Sequence, residues 1–259
     1  MKISKIMIIV LLAVLSISFT LEAKTKSFAW VKLFAGRIKI QPEGKSSWYE
    51  PKIGMALREG DVIQTMERSW ITIAYENSTI TRVLPNSEIT ITKIDYNEKT
   101  KDLDAKVKVS GLGKLLSVIR KVLKGSEVEY NVETPTSVAG VRGTDIMVDV
   151  PNKDTTVFAV FDGKVIVKDF VTETGLSTDD TTMMMDFLHE MSVGGGKYTV
   201  YDKDKGFKNA KSIGDKFKTS QKTLKDMDKE SKELAKALEK GKPEDRQDKA
   251  EQIREDVIK

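Results

Sequence analysis

Cysteine is absent from this chain. Its absence excludes disulfides, a thiolate metal site, a cysteine nucleophile and a lipid-modified N-terminal cysteine. Histidine occurs once, as His189, so a catalytic or metal centre built on paired imidazoles has no material. Neither Gly-x-Ser-x-Gly nor His-Glu-x-x-His occurs. The run "GGGKYT" fails as a phosphate loop, because Lys197 is followed by Tyr198 and the earlier glycine is missing. Acid pairs such as Asp179-Asp180 lie in a turn-rich stretch and read as solvated loop. Met183-Met184-Met185, with Met191 nearby, read as packing residues in preference to a soft-metal site. These absences predict a protein that is not an enzyme and takes no cofactor or metal. A dominant charge is missing too: 43 Lys and Arg stand against 39 Asp and Glu, interspersed, for a net +4. A nucleic-acid binder concentrates a basic face, so no nucleic acid is expected.

Long apolar runs are limited to one. "MKISKIMIIVLLAVLSISFTLEAKT" places Lys2 and Lys5 before an apolar stretch and Ala23 after it. That order is the pattern of a secretory signal peptide, and the stretch is shorter than a spanning helix needs. Residues 1–23 are therefore read as a Sec-type export signal. After its cleavage the rest is not an integral membrane protein and lies in the periplasm, at the cell surface or outside the cell.

What is present is short strands between turns. "WITIAY" sets Ile71, Ile73 and Tyr75 against Thr72 and Ala74, and "SEITITKI" sets Ile89 and Ile91 against Thr90 and Thr92. Period-two alternation of β-branched residues marks half-buried strands. Turn chemistry separates them at Glu59-Gly60-Asp61, Glu76-Asn77 and Pro85-Asn86. Asp162-Gly163, between "TTVFAVF" and "KVIVKDF", predicts a hairpin in which both turn residues take positive φ. "GKLLSVIRKVLKG", residues 113–125, reads as a short basic helix on a β core, with a strand as the alternative. Residues 171–201 read as an irregular segment with one short strand.

From residue 202 to 259 Lys, Asp and Glu dominate. Beneath them Ile213, Phe217, Ser220, Leu224, Met227, Ser231, Leu234 and Leu238 fall at alternating steps of four and three. This heptad seam predicts a helix over 211–240, and Gly241 and Pro243 separate it from a second one. Ile213, Phe217, Leu224, Met227, Leu234 and Leu238 form a candidate seam for a partner helix, or for docking on the β domain. The two serines weaken a free coiled coil. Among aromatics, Trp48 and Tyr49 follow a polar turn and are candidate ligand contacts, for instance for sugar stacking; edge packing is the blander reading.

One stretch stands apart, "TPTSVAGVRGTD", with Thr134-Pro135, Gly140, Val141, Arg142, Gly143, Thr144 and Asp145. Glycines relieve steric restriction, and an arginine in a bend can donate up to five hydrogen bonds. The stretch is therefore read as a tight reversal with a structural Arg142. It resembles the signature of the FecR domain. "IGMALREGDVIQT" (53–65), "YENSTITRVLPNSEITI" (75–91) and "VFDGKVIV" (160–167) resemble other parts of that family, in order. The resemblance covers residues 28–170 and fades to about 201. It implies a mainly β domain, a solenoid-like or sandwich stack of short strands, followed here by the charged α-helical region. FecR-type transducers carry a cytoplasmic anti-sigma segment and a membrane span before the domain. An export signal leading directly into the domain departs from that order. The resemblance then implies a non-catalytic cell-envelope module for protein interaction or signalling accessory work, with an envelope protein as partner. A carbohydrate-binding structural role toward cell-wall glycan is the alternative.

Overall fold

Alternation between apolar and polar residues becomes strand throughout a computed structural model of the chain, described over residues 29–120, 126–169, 189–241 and 243–258. In chain order, β1 to β6 are Ala29–Ala35, Ile38–Gln41, Ala56–Leu57, Val62–Thr65, Trp70–Tyr75 and Ile80–Val83. β7 to β12 are Ser87–Tyr96, Leu103–Val109, Gly113–Val118, Val128–Glu133, Ser137–Val141 and Asp145–Asn152. β13 to β18 are Thr155–Asp162, Lys164–Asp169, Glu190–Gly194, Lys197–Asp202, Gly206–Phe207 and Lys211–Ser212. Two helices follow, α1 (Lys218–Lys240) and α2 (Pro243–Ile258).

The strands form two sheets. Sheet I runs β3-β1-β5-β6-β9-β12-β13-β16-β17, with β18 also on β16. Sheet II runs β2-β4-β7-β8-β10-β11-β14-β15. Both sheets add strands almost in chain order and in the same direction, as a solenoid does. They also share one core, as a sandwich does: Ile71, Ile73, Tyr75, Val148 and Phe158 of sheet I meet Ile89, Ile91, Val107, Tyr130 and Val132 of sheet II. Tyr75 and Tyr130 pack edge to face at its centre, 6.0 Å apart. Pairing is antiparallel except between β8 and β10. The chain leaves sheet II after β8, forms β9 in sheet I and returns, so the next strand in sheet II runs the same way. Residues 189–201, the described part of the segment 171–201 expected as irregular with a short strand, extend both sheets through β15 and β16, and Lys211 and Ser212, expected at the start of the helix, pair with β16 as β18.

Two expectations are corrected. Residues 113–118 of the expected helix are strand β9, between β6 and β12. Residues 121–125 of that expectation lie outside the described residues, as do the export signal, Asp179-Asp180 and Met183–Met185. Leu115 and Leu116 are both buried, one toward each face of the sheet. A strand covered on both faces loses its alternation and reads like a buried helix. Asp162-Gly163 is also no hairpin, because β13 belongs to sheet I and β14 to sheet II. Only Gly163 has positive φ, at 83°, whereas a two-residue hairpin of this type needs it at both positions. The chain turns a corner between sheets there.

The helices cover sheet I and one end of the stack. Phe217, Leu224 and Met227 pack with Ala74, Ile80, Leu116, Val118 and Met147 on the outer face of sheet I. The seam serines also find partners. The Ser231 hydroxyl donates to the Ser78 carbonyl at 2.7 Å, and Ser220 lies 3.2 Å from Met147 Sδ. Ile253 and Val257 of α2 pack against the main core. Arg254 donates to the Asp61 carboxylate at 2.7 Å and to the Ala56 carbonyl at 3.0 Å. No helix among the described residues is long and apolar enough to cross a membrane.

Candidate interaction site

The signature stretch spans β10, β11 and β12, and its two ends are fixed by hydroxyls. Thr134 Oγ1 accepts the Ser137 N–H at 3.1 Å. It also contacts Thr156 Oγ1 at 3.1 Å, and Thr136 meets Thr156 at 2.8 Å. These buried hydroxyls tie the Thr134-Pro135 turn to β13 of the opposite sheet. At the other end Thr144 Oγ1 donates to the carbonyls of Arg142 and Lys164, at 3.2 and 3.1 Å. Gly143 has φ +60°, and a Cβ on Gly163 would lie 2.8 Å from the Gly143 carbonyl oxygen. Two sheet-crossing corners therefore stack on glycine.

Arg142 does not lock this corner, contrary to the expectation. Its side chain is exposed, and no hydrogen bond or ion pair to it is found among the described residues. The reason is register. Ser137, Ala139 and Val141 point into the core, so Val138, Gly140 and Arg142 point outward from sheet II. The guanidinium projects into solvent, and Thr144 satisfies the carbonyls instead. Asp145 pairs with a different arginine, Arg120, at 2.7 Å. Asp228 of α1 shares that cation at 2.6 Å. Burial keeps the Asp145 carboxyl above its ordinary range, despite Arg120. At Asp228 burial also pushes up, but Lys232 and Arg120 outweigh it and hold the group below its ordinary range.

Gly140 departs from the expectation in another way. It has no positive φ, and a Cβ there would find ordinary contacts, 3.5 Å from Asn131 Oδ1 and 3.8 Å from the Ile166 carbonyl. It sits in unbroken register between Asn131 and Ile166. Neither space nor backbone conformation requires glycine. A strand glycine without such a cause marks a place where another backbone or a ligand comes close. Around it the outer face presents Val138, Ile166, which is 39% exposed, and Arg142. The paired register ends at Val141 with Val165, one residue before Arg142 and one after Lys164. On the other side of Gly140, Glu133 bridges Lys106 and Lys108 at 2.7 and 2.9 Å. Burial pushes that carboxyl up, and the two lysines outweigh burial, so it stays charged.

The other sequence candidates separate. Of the seam, Phe217, Leu224 and Met227 are buried on sheet I, while Ile213, Leu234 and Leu238 are half-buried. The seam is thus occupied within the chain. Trp48 is 38% exposed. Tyr49 pairs its backbone with Ile40, both bonds at 2.8 Å, which closes the β2 edge. Among the described residues no ring pair includes Trp48 or Tyr49. His189 Nδ1 lies 3.0 Å from the Asp169 carboxylate, which also accepts the His189 backbone N–H at 2.8 Å. No group of three or more potential metal ligands occurs among the described residues. Sequence reasoning missed Lys164, Ile166 and the Asp61–Arg254 pair. The first two lay on β14, whose outward alternation was readable. The pair carried no local signal.

Comparison with known proteins agrees with the resemblance. A family described as "FecR protein" matches residues 61–166. No curated protein matches. A crystal structure described as that of a "putative anti-sigma factor" from Parabacteroides distasonis is similar at 13% identity, with a TM-score of 0.43. The alignment covers 62% of this chain and 63% of that one. A second crystal structure of the same description and organism gives 14% identity and a TM-score of 0.40, covering 58% and 59%. This chain thus spans less than two thirds of either.

Proposed function

From the premise that residues 61–166 form a FecR domain, we propose that this protein is a non-catalytic, exported protein-interaction module of the cell envelope. It serves signalling as an accessory and engages its partner with the outer face of sheet II. The observation that carries the reading is Gly140. It leaves bare backbone on that face, beside Ile166 and near Arg142, which has no ion-pair partner among the described residues, without a structural need for glycine. Sheet I offers no equivalent, because α1 lies on it.

The test is photo-crosslinking of the full chain in its own cells. A photoreactive residue is placed at Asn131 on sheet II or at Lys222 on the exposed side of α1. The reading expects one defined protein adduct from Asn131, lost in Gly140→Val, and none from Lys222. Equal adducts from both sites, or none from either, would sink it. Cell fractionation of the same strains reads export directly. Recovery of the uncleaved chain in the cytoplasm would remove that part.

The glycan-binding alternative rests on Trp48, whose ring is part exposed at the end of the stack. Sedimentation with protease-treated envelope material tests it: retention that Trp48→Ala abolishes would favour glycan over protein.

A further inference from the structure

Helix α1 carries Lys218, Lys222, Lys225, Lys229, Lys232, Lys236 and Lys240, and all seven are exposed. At 3.6 residues per turn they share an arc of about 80°, and every α1 position within that arc is one of them. The arc lies opposite Leu224 and Met227, which pack on sheet I. Lysine therefore forms the outward crest of the helix over about 33 Å.

The acids of α1 lie off the crest. Asp228 and Glu230 turn toward the sheet, where Arg120 holds the first and Lys32 and Arg82 the second. Asp226, Glu233 and Glu239 are exposed on the two shoulders. Lys218 pairs with Asp215 at 2.8 Å and Lys232 with Asp228 at 2.6 Å. The other five crest lysines have no ion pair among the described residues. The seven lysines with Lys32, Arg82 and Arg120 make ten cations, and the five acids of α1 with their neighbours Asp215 and Asp145 make seven acids. The excess is positive after every pairing is counted, and it is gathered on the crest. The exposed acids of α2 sit on the helix at the end of the stack, against β3 and the main core.

We propose that the lysine crest of α1 rests on a membrane surface rich in anionic phospholipid. The chemistry suits a plane of phosphates. Lysine is a compact point charge, without the fork by which arginine grips a single phosphate or carboxylate, and the crest has no arginine. It has no aromatic or apolar side chain either. It thus lacks the central anchor of a protein interface and the stacking platform of a single-strand binder. On a flat surface only the crest makes contact and the shoulder acids stand back, whereas the walls of a nucleic-acid groove would meet them. The apolar side of α1 is already buried on sheet I, so the helix adsorbs by charge without inserting. Sheet II turns its outer face the opposite way, across the shared core, so this contact does not compete with a partner there. The proposal does not depend on sheet II being the partner face.

The test uses the full chain. It has no cysteine, so Gln221→Cys and Asn131→Cys each accept a single dye, beside the crest and on sheet II. Energy transfer to labelled headgroups is titrated with phosphatidylglycerol and with phosphatidylcholine vesicles. Insertion of the apolar stretch before Ala23 would act alike on both dyes. Transfer from position 221 should exceed that from position 131 on phosphatidylglycerol only, and the excess should fade as salt rises. A lysine near such a surface contributes about fivefold. Lys222→Gln, Lys225→Gln and Lys229→Gln together should therefore weaken the charge-dependent binding about a hundredfold, with an unchanged melt. Equal transfer from the two dyes, an excess that phosphatidylcholine also gives, or an undiminished triple variant overturns the proposal. So does release from the vesicles by an equal charge of duplex DNA or polyglutamate, which would assign the crest to a soluble polyanion. Lipid binding through the crest without a protein adduct at Asn131 would remove the sheet II reading alone.

Discussion

Strands β9 and β10 follow each other in the chain and end in opposite surroundings. In β9, Leu115, Leu116, Ser117 and Val118 are all buried; in β10, Tyr130 and Val132 are buried while Glu129 and Asn131 face outward. The same contrast separates the whole sheets. Strand β5 of sheet I buries five of its six residues, whereas β8 of sheet II alternates along its length. Among the described residues, one sheet is covered twice, by the opposite sheet and by α1, and the other once. An antiparallel sheet tolerates water on one face, and its polar alternation shows which face is wet. In this chain the alternating sheet is also the one whose signature strand presents a bare glycine outward.

The comparison breaks first at the end of the stack. Asp61 is fully buried, and Arg254 is 5% exposed. Removing one partner of a buried pair leaves an uncompensated charge, which costs about 3–5 kcal/mol. Arg254→Ala should lower thermal stability by that amount and release α2. A loss under about 1 kcal/mol would mean that α2 is a dispensable appendage.

Next comes the cover on sheet I. Met227 is fully buried between helix and sheet. Met227→Ala should cost about 2–5 kcal/mol in denaturant unfolding, as for a core position. A surface-like loss would show α1 to be a loose lid, and both sheets equally open.

Acid should weaken the same cover. Glu230 of α1 reaches Lys32 and Arg82 at 3.1 and 3.0 Å. Burial pushes its carboxyl up, but the two cations outweigh that and hold it below the ordinary range. Asp228 is lowered likewise. A carboxylate depressed in the folded state stabilises above its unfolded value, near 4, and loses that contribution as pH falls through the folded one. Melting temperature should therefore drop as pH goes from about 5 to below 4. Asp228→Asn with Glu230→Gln should flatten part of that slope. An unchanged slope would detach the ion pairs from the docking.

The smallest effects belong to sheet II. Gly140→Val and Arg142→Ala should each change stability by about 0.5 kcal/mol or less, because nothing in the fold depends on either side chain. Circular dichroism melts check this. A large loss in Arg142→Ala would restore that residue to a structural role.

Much of the fold was legible because strand alternation is local. Ile71, Ile73, Ile89 and Ile91 were assignable to the core from neighbours two residues away. Strand β9 was not, since double burial erases the period that distinguishes strand from helix. Asp162-Gly163 looked like a hairpin because the dipeptide specifies a turn, while the sheet that each flanking strand joins depends on distant partners. At the candidate site, the signature was readable as a unit. Its division into an inward half and an outward half required the register of β11 against β10 and β14.

The sequence by itself determined the elements: short alternating strands, glycine corners, a heptad helix and a charged tail. Each of these follows from spacings of a few residues. Only the tertiary structure decided that α1 covers sheet I and not sheet II. It also decided that Arg254 closes on Asp61, 193 residues away, and that Arg142 faces solvent. Those outcomes depend on which buried groups must be satisfied once remote segments meet. No local pattern carries that information.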